Sequence, residues 1–131
     1  MADRICIDTN ILIGFLRKDP VVTAWITSRE KDCILATTMI NSFELYSGAY
    51  SSANRSKNLR AVKELLSRVI VLHLTDVASE KAGQYYADLR AKGQSIEFRD
   101  ILVGAIAASE GFRLKTSNVS HFSRMSGLVL D

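Results

Sequence analysis

Apolar residues fall into two kinds of block along this chain. Residues 5–7 (Ile-Cys-Ile), 33–36 and 69–72 are short continuous runs, which predict buried strands. Residues 114–116 and 128–130 also read as short strands. Between them, apolar side chains recur every three or four residues, the spacing of one helix face. Ile11, Leu12, Phe15 and Leu16 predict a first helix with Thr9 or Asn10 as its N-cap. Pro20 opens a second, with Val21, Val22, Trp25 and Ile26 as its apolar face. Ile40, Phe43, Tyr46 and Tyr50 form the stripe of a third helix. Residues 51–56 read as a polar loop, and Leu59, Val62, Leu65 and Leu66 mark a fourth helix. Thr75 caps a long helix that runs to about Lys92 and stops at Gly93, and residues 100–110 form a sixth that stops at Gly111.

Short strands alternating with helices predict an α/β fold, a parallel sheet covered on both faces in three α/β/α layers. Ligands bind such sheets at the carboxyl ends of their strands, so polar residues directly after the runs carry the interest. At 131 residues with seven Gly and one Pro, no linker divides the chain, and residues 1–131 read as a single domain. An apolar share of 47% with 24% charged residues excludes a disordered or fibrous chain. The longest apolar run, residues 101–108, is far short of the roughly 20 residues that span a membrane. Charges near the N-terminus stand where a signal peptide needs an apolar stretch, so a cytoplasmic location is expected. Cys6 and Cys33 then read as two buried thiols. With no Cys-x-x-Cys and only His73 and His121, a structural zinc site is not expected.

Three acids stand out. Asp8 ends the first run, Glu44 lies inside an apolar helix, and Asp100 begins the sixth helix. Singly, each has an ordinary reading: a helix cap, a helix-edge carboxylate, a first-turn acid that complements the dipole. Together they are all flanked by apolar residues and can all lie at one end of the sheet. Carboxylates gathered in one place repel unless a cation neutralises them. The hard, oxygen-seeking cation that suits them is Mg²⁺ or Mn²⁺. Thr116-Ser117-Asn118, after a short strand, reads either as a polar turn or as a hydroxyl and an amide completing that pocket.

In this order and spacing the chain resembles the PIN domain, specifically the VapC-type toxins of prokaryotic toxin–antitoxin pairs. The resemblance spans essentially the whole chain. It rests on Ile7-Asp8-Thr9-Asn10, on residues 41–48 (Asn-Ser-Phe-Glu-Leu-Tyr-Ser-Gly), and on residues 100–107 (Asp-Ile-Leu-Val-Gly-Ala-Ile-Ala). Thr116-Ser117-Asn118, residues 121–124 (His-Phe-Ser-Arg) and Gly127-Leu128 complete it. It implies a metal-dependent endoribonuclease in which Asp8, Glu44 and Asp100 hold Mg²⁺ or Mn²⁺. Water attacks an RNA phosphodiester in line, leaving a 5′-phosphate and a 3′-hydroxyl, while Thr116 and Asn118 orient it. Asn118 stands where many relatives carry a fourth acid, which lowers the site charge by one. Thr9 matches a position whose hydroxyl lines the family's pocket.

The resemblance further implies an RNA substrate such as tRNA or rRNA, a small antitoxin of the VapB type whose tail blocks the pocket, and a homodimer. Arg99, His121 and Arg124, close to the site in sequence, are candidates for phosphate contacts. So is a basic stretch with Arg55, Lys57, Arg60, Lys63 and Arg68 against Glu64 alone, although a solvated helix face explains it as well. The chain's net charge of +3 and pI near 9.0 permit a polyanionic partner without requiring one. Trp25 and the first two helices offer a docking groove for the antitoxin, with core packing the plainer account of Trp25. Of Tyr85 and Tyr86, only one can face the core, leaving the other for a dimer interface. Two rivals fail on residues: a haloacid-dehalogenase phosphatase needs an acid where Asn10 stands, and a receiver domain needs an acidic pair near the first strand. A non-catalytic PIN-like module that binds RNA or protein is the alternative function, and metal binding separates it from the nuclease.

Overall fold

In a computed structural model that describes residues 2–131, the elements follow the expected alternation. They are β1 (Asp3–Ile7), α1 (Thr9–Leu16), α2 (Pro20–Glu30), β2 (Cys33–Thr38), α3 (Met39–Tyr50) and α4 (Arg55–Ser67). Then come β3 (Ile70–Leu72), α5 (Asp76–Ala91), α6 (Phe98–Ser109), β4 (Arg113–Lys115) and α7 (Val119–Phe122). The strands form one sheet in the order β3-β2-β1-β4, and every pairing is parallel. Chain order therefore reverses direction at β1. It proceeds outward through β2 and β3, then returns to the other side for β4. The carboxyl ends of β1 and β4 thus meet at the switch point where open α/β sheets bind ligands.

Strand alternation sends side chains to two cores. Ile5 and Ile7 face α1, α2 and α4, packing with Leu12, Ile26, Leu45, Val62 and Leu65. Cys6 faces the other way, toward α5 and α6, with Ala36, Tyr85, Ile106, Leu114 and Phe122. Helices on both faces make the three-layer α/β/α arrangement read from the sequence. Burial pushes the Cys6 thiol well above its usual range, with the nearby Asp8 charge adding to the effect.

Several local readings are corrected. Asp8, not Thr9 or Asn10, caps α1, because the Thr9 hydroxyl is committed elsewhere and the Asp8 carboxylate accepts from the Thr9 N–H. Pro20 does open α2, where Asp19 accepts from the N–H groups of Val21 and Val22, but Val21 is 79% exposed. The apolar stripe of α3 is only in part its inner face, with Ile40 and Tyr46 packed against the cores. Phe43 and Tyr50 are 68% and 54% exposed, while Asn41, Leu45 and Ala49 turn inward. Buried Asn41 sets that rotation through its capping box with Thr38. Helix α4 starts inside the expected loop, at Arg55, and α6 starts at Phe98 with Glu97 as its N-cap. Residues 128–130 form no strand: Leu130 makes a single bridge to Leu114. Cys33 is only half-buried, so one thiol of the two is a core residue, and both are free. Gly93 and Gly111 end their helices with φ of 68° and 73°, a conformation that costs other residues more.

Phe122 is fully buried and anchors the short helix α7 beside the switch point. Phe122→Ala is expected to cost about 3–5 kcal/mol of stability. Urea denaturation measures this as a lower midpoint at unchanged slope, and a midpoint within error of the parent would contradict the packing described.

Candidate functional site

Asp8, Glu44 and Asp100 converge at the switch point from three separate elements. Asp8 follows β1 and caps α1, Asp100 lies in the first turn of α6, and Glu44 projects from α3. The positive ends of α1 and α6 offset part of the cost of placing the first two. Asp8 and Asp100 side chains are 2% and 4% exposed, whereas Glu44 is 30% exposed at the mouth.

Asp8 is held from several directions. Its Oδ1 accepts from the N–H of Thr9 at 2.8 Å and from Asn41 Nδ2 at 2.9 Å. Its Oδ2 accepts from the Thr116 hydroxyl at 2.7 Å, a group that β4 delivers beside β1. Thr9 donates to Glu44 Oε1 at 2.6 Å and accepts from Asn41 Nδ2 at 2.9 Å. Asn118 Nδ2 donates to Asp100 Oδ2 at 3.2 Å, and His121 Nδ1 lies 2.9 Å from the same oxygen. The expected set of Asp8, Thr9, Glu44, Asp100, Thr116, Asn118 and His121 is therefore one cluster.

Arg99 stands at its centre rather than at its rim. Its Nη2 donates to Asp8 Oδ1 at 2.6 Å and to Glu44 Oε1 at 2.8 Å. Its Nη1 donates to Asp100 Oδ1 at 2.7 Å, and its Nε to Glu44 Oε2 at 2.9 Å. Burial works against the guanidinium charge, but its hydrogen bonds to Glu44, Asp8 and Asp100 outweigh it and hold the pKa above its usual range. As they stand, the carboxylates surround a guanidinium. Among the described residues no group of three acidic, His or Cys side chains is spaced to share one ion. The donor set is nonetheless all-oxygen and acid-rich, which fits a hard divalent cation once positive charge is exchanged for positive charge.

The other basic candidates lie apart. Arg124 is exposed beyond α7 and does not line the cleft, whose volume is about 270 Å³. Arg55 donates to the Tyr50 carbonyl at 2.9 Å, whereas Lys57 and Arg60 are exposed on α4. A larger groove of about 950 Å³ runs between α1, α2 and α4, lined by Phe15, Leu16, Pro20, Ala24 and Leu65. It contains none of the clustered acids, so size does not mark the chemistry here.

Two residues escaped the sequence reading. Asn41 is fully buried and joins Thr38, Asp8 and Thr9 in one network, and its signal was the Thr-x-x-Asn capping spacing at residues 38–41. Glu97, the N-cap of α6, lines the cleft as a further carboxylate.

A PIN domain model matches residues 5–128. The chain is 30% identical to Ribonuclease VapC2 of Haemophilus influenzae, over 93% of this chain and 92% of that protein. It is also 30% identical to the tRNA(fMet)-specific endonuclease VapC of Shigella flexneri, over 95% and 94% of the two chains. Among solved structures, DNA-bound VapBC from Salmonella typhimurium aligns with a TM-score of 0.90 at 26% identity, over 100% of this chain and 98% of that one. VapBC-1 from nontypeable Haemophilus influenzae aligns with a TM-score of 0.87 at 29% identity, over 97% and 96%.

Asn41→Ala removes the acceptor of the buried Thr38 N–H and a donor to Asp8. A loss of about 1–3 kcal/mol is expected from the unpaired groups. Chemical denaturation reads it directly, and a variant as stable as the parent would mean that water replaces the amide.

Proposed function

The chain belongs to the PIN domain family, and from that premise we propose that it is an endoribonuclease, the toxin of a VapBC-type pair. One observation carries the proposal: Asp8, Glu44 and Asp100 are brought to the switch point of a parallel sheet from three elements far apart in sequence. These three would hold Mg²⁺ or Mn²⁺ in the working enzyme. When bound, the ion supplies positive charge against the scissile phosphate and makes water a better nucleophile.

The chain's own residues do the positioning. Thr116 and Asn41 fix the two oxygens of Asp8, so that its carboxylate cannot rotate away. Thr9 fixes Glu44, and Asn118 with His121 fixes Asp100. Thr116 and Asn118, bonded to Asp8 and Asp100, would orient the attacking water. Arg124, Lys57 and Arg60 lie outside the cleft, where they can draw in an RNA backbone by long-range attraction. The Shigella flexneri relative is named for tRNA(fMet), and a structured RNA such as tRNA or rRNA is the substrate class proposed here.

Residues 1–131 act as one PIN unit in this reading, and the cytoplasm is its proposed location. No helix among the described residues is long and apolar enough to cross a membrane. The groove between α1, α2 and α4 takes the small antitoxin, in keeping with relatives solved as VapBC complexes. Trp25 is half-buried against the α1–α4 core and under the cations of Arg29 and Lys115, so it supports the groove more than it lines it. On α5, Tyr85 is buried and Tyr86 is 39% exposed beside Phe98, their ring centroids 5.3 Å apart. That exposed pair is the proposed contact of a homodimer.

Purified protein free of antitoxin is expected to cut total cellular RNA into discrete fragments with Mg²⁺ or Mn²⁺, and not with EDTA. Asp100→Asn, and likewise Asp8→Asn, is expected to abolish cleavage with the fold intact by circular dichroism. Cleavage that persists in EDTA or in both variants would remove the proposed site. Neutralising Arg55, Lys57 and Arg60 together is expected to weaken RNA binding and lower its salt slope, by roughly 0.7 for each lost contact to a single-stranded phosphate. An unchanged slope would return α4 to the role of a solvated face.

A further inference from the structure

We propose that Arg99 is a built-in stand-in for the divalent ion: its guanidinium holds the three carboxylates together in the metal-free protein and must leave them before an ion can bind. This rests on the reading that Asp8, Glu44 and Asp100 are the metal site.

The contacts are those of a counter-ion, not of a surface residue. All three guanidinium nitrogens are engaged, and they take Asp8 Oδ1, Asp100 Oδ1 and both oxygens of Glu44, so the three carboxylates are not free for an ion while Arg99 stays. A guanidinium and a divalent cation repel, so the two cannot share this pocket. Nor can the pocket do without either. Asp8 and Asp100 are almost fully buried, and carboxylates gathered there repel one another without a cation among them. Arg99 holds them close until a stronger cation arrives.

The exit is open. Arg99 is the second residue of α6, its side chain is 25% exposed, and its neighbours Glu97 and Phe98 are exposed. The side chain can therefore swing to the rim by rotamer changes alone, with α6 in place. An arginine stays charged at any pH the protein meets, so it leaves by moving and not by losing a proton. At the rim the same guanidinium faces the approach of an RNA phosphate, which it suits by geometry.

The test is Mn²⁺ binding in the absence of RNA, by isothermal titration of the full chain and of Arg99→Gln. The variant is expected to melt lower than the parent in EDTA, to bind Mn²⁺ about tenfold tighter or more, and to gain more thermal stability from it. Equal or weaker binding by Arg99→Gln would overturn the proposal while leaving the metal site standing. No binding by either protein would fell the metal site itself, and the proposal with it. If Arg99→Gln does not fold, the parent decides. In a ¹⁵N-labelled sample the Arg99 Nε–H resonance is expected to be sharp in EDTA. It should be lost to solvent exchange at a Mg²⁺ concentration where the backbone amides of α1 and α6 have stopped shifting. A resonance unchanged at that concentration would overturn the proposal.

Discussion

The site depends on one electrostatic constraint: buried carboxylates cannot be gathered without positive charge among them. Asp8 and Asp100 are withdrawn almost completely from water, and Glu44 closes the group from the mouth. Backbone N–H groups, two helix N-termini and the hydroxyls of Thr9 and Thr116 each take up part of the cost. None of them carries a full charge. The Arg99 guanidinium does, and its geometry lets one group satisfy three carboxylates at once.

The fold makes that gathering possible. A parallel sheet buried on both faces aligns all its strand ends in one direction, so polar residues following strands accumulate along a single edge. Reversal of strand order at β1 opens the crevice, with Asp8 after β1 and Thr116 after β4 on adjacent strands. The N–H of Asp8 donates to the Lys115 carbonyl at 2.9 Å, which carries the β1–β4 pairing right up to the catalytic candidates. Rigidity of this kind matters because every side chain that positions water or phosphate has to start from a fixed backbone.

Much of this was legible in the chain. Asp8 was found because it follows an apolar run, Thr116 because it stands after a short strand, and Asp100 because it precedes an apolar run. What escaped was set by tertiary contact. The stripe of Phe43, Tyr46 and Tyr50 suggested the inner face of α3, but a fully buried Asn41 turns that helix, and no hydrophobic pattern announces a polar residue at a core position. Asp8 displaced Thr9 as the cap of α1 because the Thr9 hydroxyl was already bonded to Glu44, thirty-five positions away. Arg99 read as a candidate phosphate contact beside the site. Its inward course depends on where Glu44 and Asp8 lie, and spacing along the chain does not encode that.

Charge is distributed unevenly in a way that bears on substrate. The chain is net basic at +3, yet the cleft is lined by Glu44, Glu97 and Asp100 against Arg99, with the buried Asp8 bonded to that same arginine, so acids outnumber bases there. An RNA phosphate drawn by the outer lysines and arginines therefore meets repulsion at the point where chemistry occurs. Distant attraction raises the rate of encounter, but it does not cancel a local field of the opposite sign. Further cationic charge must enter the cleft before the phosphate can settle there. Affinity for RNA and capacity to cleave it are thus separate properties of this molecule, lodged in different residues. In the proposed reading Lys57 and Arg60 serve the first, and the carboxylate cluster serves the second.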